Sequence, residues 1–312
     1  MKAIDLFAGA GGFSEGAKAA GVQVVWAGNH WGSAVAVHEQ NHPDTIHVCQ
    51  DLHQANWLEV PDYDLLMASP CCQGHSRARG KDRPHHDAAR STAWAMVSAA
   101  EAQLPKAFIL ENVPEFLQWT LFPAWALAME KLGYQLSHAV LDAQYFHVPQ
   151  ERKRIFIVGL RKKAFRFPTT QPFQDLVPVS TALDMEGGDW FPVSDRTRAA
   201  IGKTPLAANT QARIAEGRRR FGDKPFWIPY FGSNIAGYGV DRPIWCITTR
   251  DRYRLVLGDQ TRILSTDECR NIMGFPADYK LTGKCKLDKH LLGNAVCPPV
   301  ATWLIKQVVA AA

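Results

Sequence analysis

The sequence predicts an α/β fold, a doubly wound and mostly parallel sheet with helices on both faces, joined to a smaller, loop-rich part. Two observations predict it. Short apolar runs alternate with helical patterns over the first 160 residues, and after residue 162 the texture changes to aromatics, turn residues and arginines. A chain of 312 residues is long enough for one large domain or two sharing a core. With 46% hydrophobic and 21% charged residues it has an ordinary globular composition, and no apolar run approaches the roughly 18–20 residues of a membrane span. Met1 leads straight into a strand-like segment, so no secretory signal is expected. The seven cysteines are scattered without CxxC spacing, which suits a reducing compartment better than a disulfide framework.

Taken in order, "AIDLF" (3–7), "VQVVWAG" (22–28), "IHVCQ" (46–50), "DLLMAS" (64–69), "AFILEN" (107–112) and "RIFIVGL" (154–160) read as buried strands. Helical stretches at 13–20, 31–41, 90–103 and 120–133 lie between several of them. Further on, "ANTQARIAEGRRRFG" (208–222) is a basic helical candidate. "STDECRNIMGF" opens with a Ser/Thr cap and an early acid, and "VCPPVATWLIKQVVAA" places Pro299 at or near a first helical turn. No internal repeat or low-complexity segment is present.

In a parallel sheet ligands bind at the carboxyl ends of the strands, so the polar residues ending these runs are the candidates for a site. The first run continues into "DLFAGAGGFSEG", where Gly9, Gly11 and Gly12 allow a tight turn and close backbone approach before a helix N-terminus. This pattern fits several nucleotide-type cofactors alike, and its spacing is not that of a dinucleotide fingerprint. Trp31 can stack on an adenine and Asp51 can accept from its amino group; the alternatives are a core tryptophan and a helix-capping aspartate. Glu111, straight after "AFIL", puts a carboxyl at the ligand-facing edge, where desolvation raises its pKa. Arg152 and Arg154 alternate along an extended approach and so share one side, able to hold a phosphate or a base carbonyl. Cys71 and Cys72 follow the fourth strand, before the basic stretch "QGHSRARGKDRPHHDAAR", which has the composition of a lid. His38 and His42 have metal-type helical spacing, but are read as surface histidines, and no metal is expected.

The order of the blocks "DLFAGAGGFSEG", "SPCCQGHS", "ENVPEF", "QERKR" and "GNAVCPPVA" resembles the cytosine-C5 DNA methyltransferases, bacterial or prophage type, from Ile4 to about Lys306. The resemblance implies the sheet of the S-adenosylmethionine-dependent methyltransferases. It also selects between the cysteines. Aligning on "QGHS" puts the nucleophile at Cys72 and leaves Cys71 where the family usually has proline, which removes a rigid φ beside it. His30 stands where many members carry a glutamate for the cofactor ribose, and Gly32 where an acid often follows. His75 replaces an aromatic.

What the resemblance implies is a methyl transfer from S-adenosyl-L-methionine to C5 of a flipped-out cytosine in double-stranded DNA. Cys72 adds to C6, Glu111 donates at N3, and Arg154 holds O2 with support from Arg152. Phe7, Ala8, Gly9 and Gly11 are assigned to the methionine part of the cofactor, His30, Trp31 and Asp51 to its ribose and adenine, and Asn294 and Val296 to the return of the C-terminal block. Residues 1–164 are expected to form the catalytic domain, 165–262 the target-recognition domain and 263–312 a segment packing back onto the first.

Charge agrees with this division. Between Arg161 and Arg262 there are 17 Lys/Arg against 10 Asp/Glu, whereas the rest of the chain is slightly acidic. DNA contacts are assigned to Ser76, Arg77, Arg79, Arg218, Arg219, Arg220, Thr248, Thr249, Arg250, Arg252 and Arg254. The chain is expected to act as a cytoplasmic, nucleoid-associated monomer with no membrane partner. The competing readings are a tRNA cytosine methyltransferase on the same blocks, a non-catalytic DNA-binding homologue, and a nicotinamide or flavin oxidoreductase sharing the sheet.

Overall fold

The computed structural model describes residues 1–71, 91–170 and 172–312. Its larger sheet contains β1 (Lys2–Leu6), β2 (Gln23–Asn29), β3 (Ile46–Cys49), β4 (Leu65–Ala68), β5 (Ala107–Asn112), β6 (Gln135–Asp142) and β8 (Lys153–Leu160); β7 (Gln150–Glu151) lies outside it. The strand order is β3-β2-β1-β4-β5-β8-β6. The first five strands are parallel, while β8 runs antiparallel to both β5 and β6.

Side-chain alternation explains why both faces are covered. Ala3 of β1, Leu65 and Met67 of β4 and Ala107 and Ile109 of β5 enter one core; Ile4, Leu6, Leu66, Ala68, Phe108 and Leu110 enter the other. The first face is closed by α1 (Gly12–Ala19) and α2 (Gly32–Asn41). The second is closed by α3 (Trp94–Gln103) and α4 (Phe122–Lys131), through Met96, Trp125 and Met129.

A second, five-stranded sheet is antiparallel throughout, in the order β11-β10-β13-β14-β9, formed by β9 (Phe191–Pro192), β10 (Phe226–Pro229), β11 (Tyr238–Gly239), β13 (Tyr253–Leu257) and β14 (Gln260–Ile263). It is accompanied by α5 (Asp195–Ala200) and the basic α6 (Ala208–Phe221). A short strand, β12 (Ile244–Trp245), leaves this sheet and pairs in parallel with β7. The chain then forms α7 (Thr266–Ile272), α8 (Cys285–Asn294) and α9 (Pro298–Ala311).

The capping box read in "STDE" is present. Ser265 accepts from the Glu268 N–H at 3.0 Å, and Glu268 accepts from the Ser265 N–H at 2.7 Å. Pro298 and Pro299 sit in the first turn of α9, where a missing N–H costs nothing. This helix packs on α1 so closely that a Cβ at Gly16 would collide with Ala301.

The structure adds elements the sequence reading lacks. β6 is an edge strand whose residues are mostly half-buried or exposed, so it carries no continuous apolar run. The polar "CKLDKHLLGN" is helical because Leu291 and Leu292 are buried on one side. Among the described residues no helix is long and apolar enough to cross a membrane.

Candidate active site

A cavity of about 400 Å³ opens at the carboxyl ends of the parallel strands, beside the point where the strand order reverses around β1. One wall is the turn after β1. Phe7 and Gly9 there have φ of 59° and 56°, and Gly11 has 79°. A left-handed phenylalanine is rare and strained, and such strain persists where the surroundings hold it for a purpose. Gly12 faces the returning C-terminal block so tightly that a Cβ would run into the Val296 carbonyl. Phe7, Ala8, Gly9, Gly12 and Phe13 line the cavity. Gly11 is not among its lining residues: it turns the chain into α1, and a Cβ there would meet the Tyr279 hydroxyl on the far side.

At the end of β2, Asn29 accepts from the Trp31 N–H at 3.0 Å and so fixes the entry to α2. His30 and Trp31 line the cavity, and the Trp31 ring meets His290 of α8 edge-on at 5.2 Å. Asp51 caps a short 3-10 turn by accepting from the His53 N–H at 3.0 Å and is not among the lining residues. Its capping role, the alternative to an adenine contact, is the one the structure displays. Asn294 and Val296 line the opposite wall as expected.

The antiparallel course of β8 builds the reactive end. Because β8 starts where β5 finishes, Arg154 arrives beside Glu111, and Arg154 Nε lies 3.1 Å from Glu111 Oε1. Glu111 is 5% exposed. Burial pushes its carboxyl above the ordinary value, against the opposing pull of Arg154, Arg152 and a hydrogen bond with Ser69. Arg152 is buried and clamps the scaffold: Nη1 donates to Ile247 O at 3.1 Å, and Nη2 donates to Gly293 O at 3.0 Å and Ala295 O at 2.8 Å. It braces the wall it also lines. Asn112 donates to Pro70 O at 2.9 Å, which holds the end of β4 against β5, and Ser69, Pro70 and Cys71 complete the wall. Cys72, Ser76, Arg77 and Arg79 lie outside the described residues.

Among the recognition candidates, most arginines on α6 already have partners. Arg218 pairs with Asp259 at 2.9 Å and with Gly258 O at 2.9 Å, and both Arg219 and Arg220 pair with Glu216. Arg254 donates to the Tyr230 hydroxyl from within β13. Arg252 lies over the Phe231 ring and Arg250 is exposed. Thr248 donates to Arg250 O at 3.0 Å, and the 248–249 backbone presses against Gly293.

His38 and His42 are not surface histidines, as the sequence reading had them. They are 1% and 8% exposed, because α2 turns this face toward α1 and Tyr279. His38 Nε2 bonds the Ser14 hydroxyl at 2.9 Å, and Ser14 in turn donates to Asp5 at 2.7 Å. No cluster able to hold a metal occurs among the described residues. The sequence reading also passed over Asn29, Ser69 and His290. Asn29 follows "VQVVWAG" directly and was within reach of the strand-end argument; His290, in a helix not foreseen, gave no signal.

Known proteins bear on this geometry. The family model for C-5 cytosine-specific DNA methylase matches residues 1–310. The type II methyltransferase M.NlaX of Neisseria lactamica is 28% identical, covering 100% of this chain and 97% of its own. M.HhaI of Haemophilus parahaemolyticus is 26% identical over 99% of this chain and 94% of its own. A candidate DNA modification methyltransferase encoded within an E. coli prophage superposes with a TM-score of 0.73 at 19% identity over 99% of both chains. The S. pombe Dnmt2 methyltransferase gives 0.70 at 16% identity, over 100% of this chain and 98% of its own. With the family model spanning nearly the whole chain and the strand-end site in place, the chain belongs to the C-5 cytosine-specific DNA methylases.

Proposed function

We propose that this chain transfers a methyl group from S-adenosyl-L-methionine to C5 of a cytosine flipped out of double-stranded DNA. The observation that carries the reading is the buried Glu111 carboxyl, kept protonatable by its burial and set beside Arg154 on the wall of the cavity entered from the glycine-rich turn.

The residues present fit the cofactor. The N-terminus of α1 has no side-chain cap, so its first N–H groups are available to a carboxylate, with Phe7 to Gly9 around the amino-acid end. Trp31, braced by His290, offers an aromatic edge for the adenine, and His30 lies beside it for the ribose. When bound there, S-adenosyl-L-methionine supplies an electrophilic methyl group.

The chain's own residues prepare the base. The Cys72 thiolate adds to C6 while the Glu111 proton passes to N3, which leaves C5 enamine-like and nucleophilic. Arg154 donates to O2 and so fixes the ring in its plane. After methylation, loss of the C5 proton and departure of the thiolate restore Cys72. Extruding the base costs a few kcal/mol, which phosphate contacts offset. We assign those contacts to the 165–262 region and to the segment after Cys72, residues 1–164 to catalysis and 263–312 to closing the cofactor wall.

The test is nucleoside mass spectrometry on DNA from methylation-deficient cells expressing the chain, with Cys72→Ser as control. 5-Methylcytosine that vanishes in the variant supports the reading. Its persistence moves the nucleophile to Cys71, and its absence from DNA with appearance in tRNA overturns the substrate.

A further inference from the structure

We propose that Cys246 is a positioning residue of the methyl-transfer site, whose sulfur, shared between Arg152 and Arg154, holds Arg154 against Glu111. The inference rests on the reading of Arg154 and Glu111 as the groups that meet the target base. It assigns a role to a residue that none of the sequence blocks contains.

The placement follows from β12. Its parallel pairing sets Ile244 opposite Gln150 and Trp245 opposite Glu151, so the next residue, Cys246, arrives level with Arg152. The register is pinned on both sides: the Ile247 N–H donates to Gln150 Oε1 at 3.0 Å, and the Tyr253 hydroxyl donates to Cys246 O at 2.9 Å. Arg152 Nη1 then lies 3.1 Å from Cys246 Sγ, and Arg154 Nη2 lies 3.9 Å from the same sulfur. Arg154 is thereby held by Cys246, by Lys153 O at 2.8 Å and by Glu111.

Two guanidinium groups two residues apart repel each other, and a sulfur that accepts from both, with its own S–H toward Ile247 O at 3.5 Å, fixes where each one sits. The groups facing Cys246 all bear on its charge. Burial opposes the thiolate, but the charges of Arg152 and Arg154 and their hydrogen bonds together outweigh it, so the thiol lies below its ordinary value. Tyr253 and Cys297, the other titratable neighbours, are themselves pushed up by burial and stay neutral.

The consequence reaches Glu111. Arg154 and Arg152 both pull its carboxyl down, so where the sulfur holds the two guanidinium groups sets the strength of that pull. Cys246 thus aims Arg154, and through it bears on the Glu111 proton that the reaction needs. It also ends the strand that brings the second sheet to the site, through Trp245 packed on Trp227 and Tyr238.

The experiment compares Cys246→Ala, Cys246→Ser and Cys246→Asp with wild type for kcat, for KM of cofactor and DNA, and for the pH profile of kcat. Removing an acceptor from two charged donors is expected to lower kcat about tenfold to a hundredfold in the alanine variant, with the cofactor KM unchanged. The high-pH limb should move in the alanine variant, because Arg154 no longer keeps its place beside Glu111. Serine or aspartate, each of which restores an acceptor, should move it back. A folded alanine variant with wild-type kcat and an unmoved limb overturns the proposal.

A second readout does not use methyl transfer. The midpoint of iodoacetamide labelling at Cys246, followed by peptide mass spectrometry, should lie below the ordinary thiol range and rise in Arg154→Gln. Should wild type transfer no methyl group at all, the parent reading fails. The labelling midpoint then still decides whether sulfur and guanidinium are paired, and a midpoint that ignores Arg154 sinks that pairing.

Discussion

Arginine serves opposite ends in the two sheets. At the edge of the larger one, Arg154 is turned into a cavity beside a buried carboxyl, and Arg152 braces it against the carbonyls of residues 247, 293 and 295. Around the smaller sheet, arginines chiefly hold the structure to itself. Arg213 donates to Asn234 O, Arg198 to Thr204 O and Arg262 to Glu268 in a buried pair, while three arginines of α6 pair with Glu216 and Asp259. A count of arginines in a sequence therefore overstates the number of side chains free to turn toward DNA. A pair of arginines at a strand end, by contrast, understates what the fold makes of them.

The sharpest way to break this contrast is at Glu111. Glu111→Gln keeps the shape and the bond to Arg154 but removes the proton, so kcat should fall by about 10²–10⁴ with cofactor and DNA binding little changed. The same variant carries a stability signature. A carboxyl whose folded pKa is raised contributes stability that is full below its unfolded value and is lost as pH rises through the folded one. Relative to wild type, Glu111→Gln should therefore gain in urea midpoint as pH rises above the ordinary carboxylate range. Wild-type turnover in this variant would remove the catalytic half of the comparison.

Next in size is the buried histidine face of α2. Burial brings the His42 pKa to about 4, and that of His38 is lowered well below its usual range. A histidine depressed in the fold contributes stability present above about 6.5 and lost as pH falls through the folded value, at most about 3 kcal/mol for His42. Asp5 opposes this, since burial raises its carboxyl to about 7 and acidification between 7 and 4 relieves it. His47 is lowered and Glu15 raised on the same face, so the measurement is the change each variant makes to the urea midpoint between pH 7.5 and pH 5. Relative to wild type, His42→Gln should lose less on acidification and Asp5→Asn should lose more.

A smaller effect tests the cofactor wall. Gly12→Ala sets a methyl group against the Val296 carbonyl, and relief of such overpacking costs typically about 1–3 kcal/mol. A lowered melting temperature together with weaker S-adenosyl-L-methionine binding by calorimetry is expected. A variant that melts lower yet binds normally would separate the wall from the ligand.

Much of this architecture was legible because burial on both faces writes strands as unbroken apolar runs: β1, β2, β4, β5 and β8 fall within a residue or two of where the runs lie. β6 was not legible, since a half-exposed edge strand alternates and "QLSHAVLD" carries little apolar signal. Nor could the sequence say that β8 runs antiparallel, although that reversal brings Arg154 to Glu111. The glycine-rich turn and Glu111 could be read because each sits at the end of a strand. His290 and Cys246 reach the site from α8 and from a two-residue strand, and their approach is set by tertiary pairing that leaves no local pattern.

The smallest effects should come from α6, and they sharpen the comparison most directly. Glu216 is held down to about 2 first by its hydrogen bonds with Arg219 and Arg220, so removing one arginine leaves the other still paired with it. Two arginines share one carboxylate, so both side chains are tied down to α6, and Arg219→Ala or Arg220→Ala should change DNA affinity by no more than about threefold. Arg250 is different: it is exposed, and among the described residues no carboxylate pairs with it. If it meets a phosphate, Arg250→Ala should weaken binding uniformly across sequences and reduce the slope of log affinity against log salt by about one. The arginines of α6 should leave that slope nearly unchanged. Equal slope changes at all three positions would mean that DNA displaces the internal partners. The second sheet would then use its arginines as the first does, turned outward once a ligand arrives.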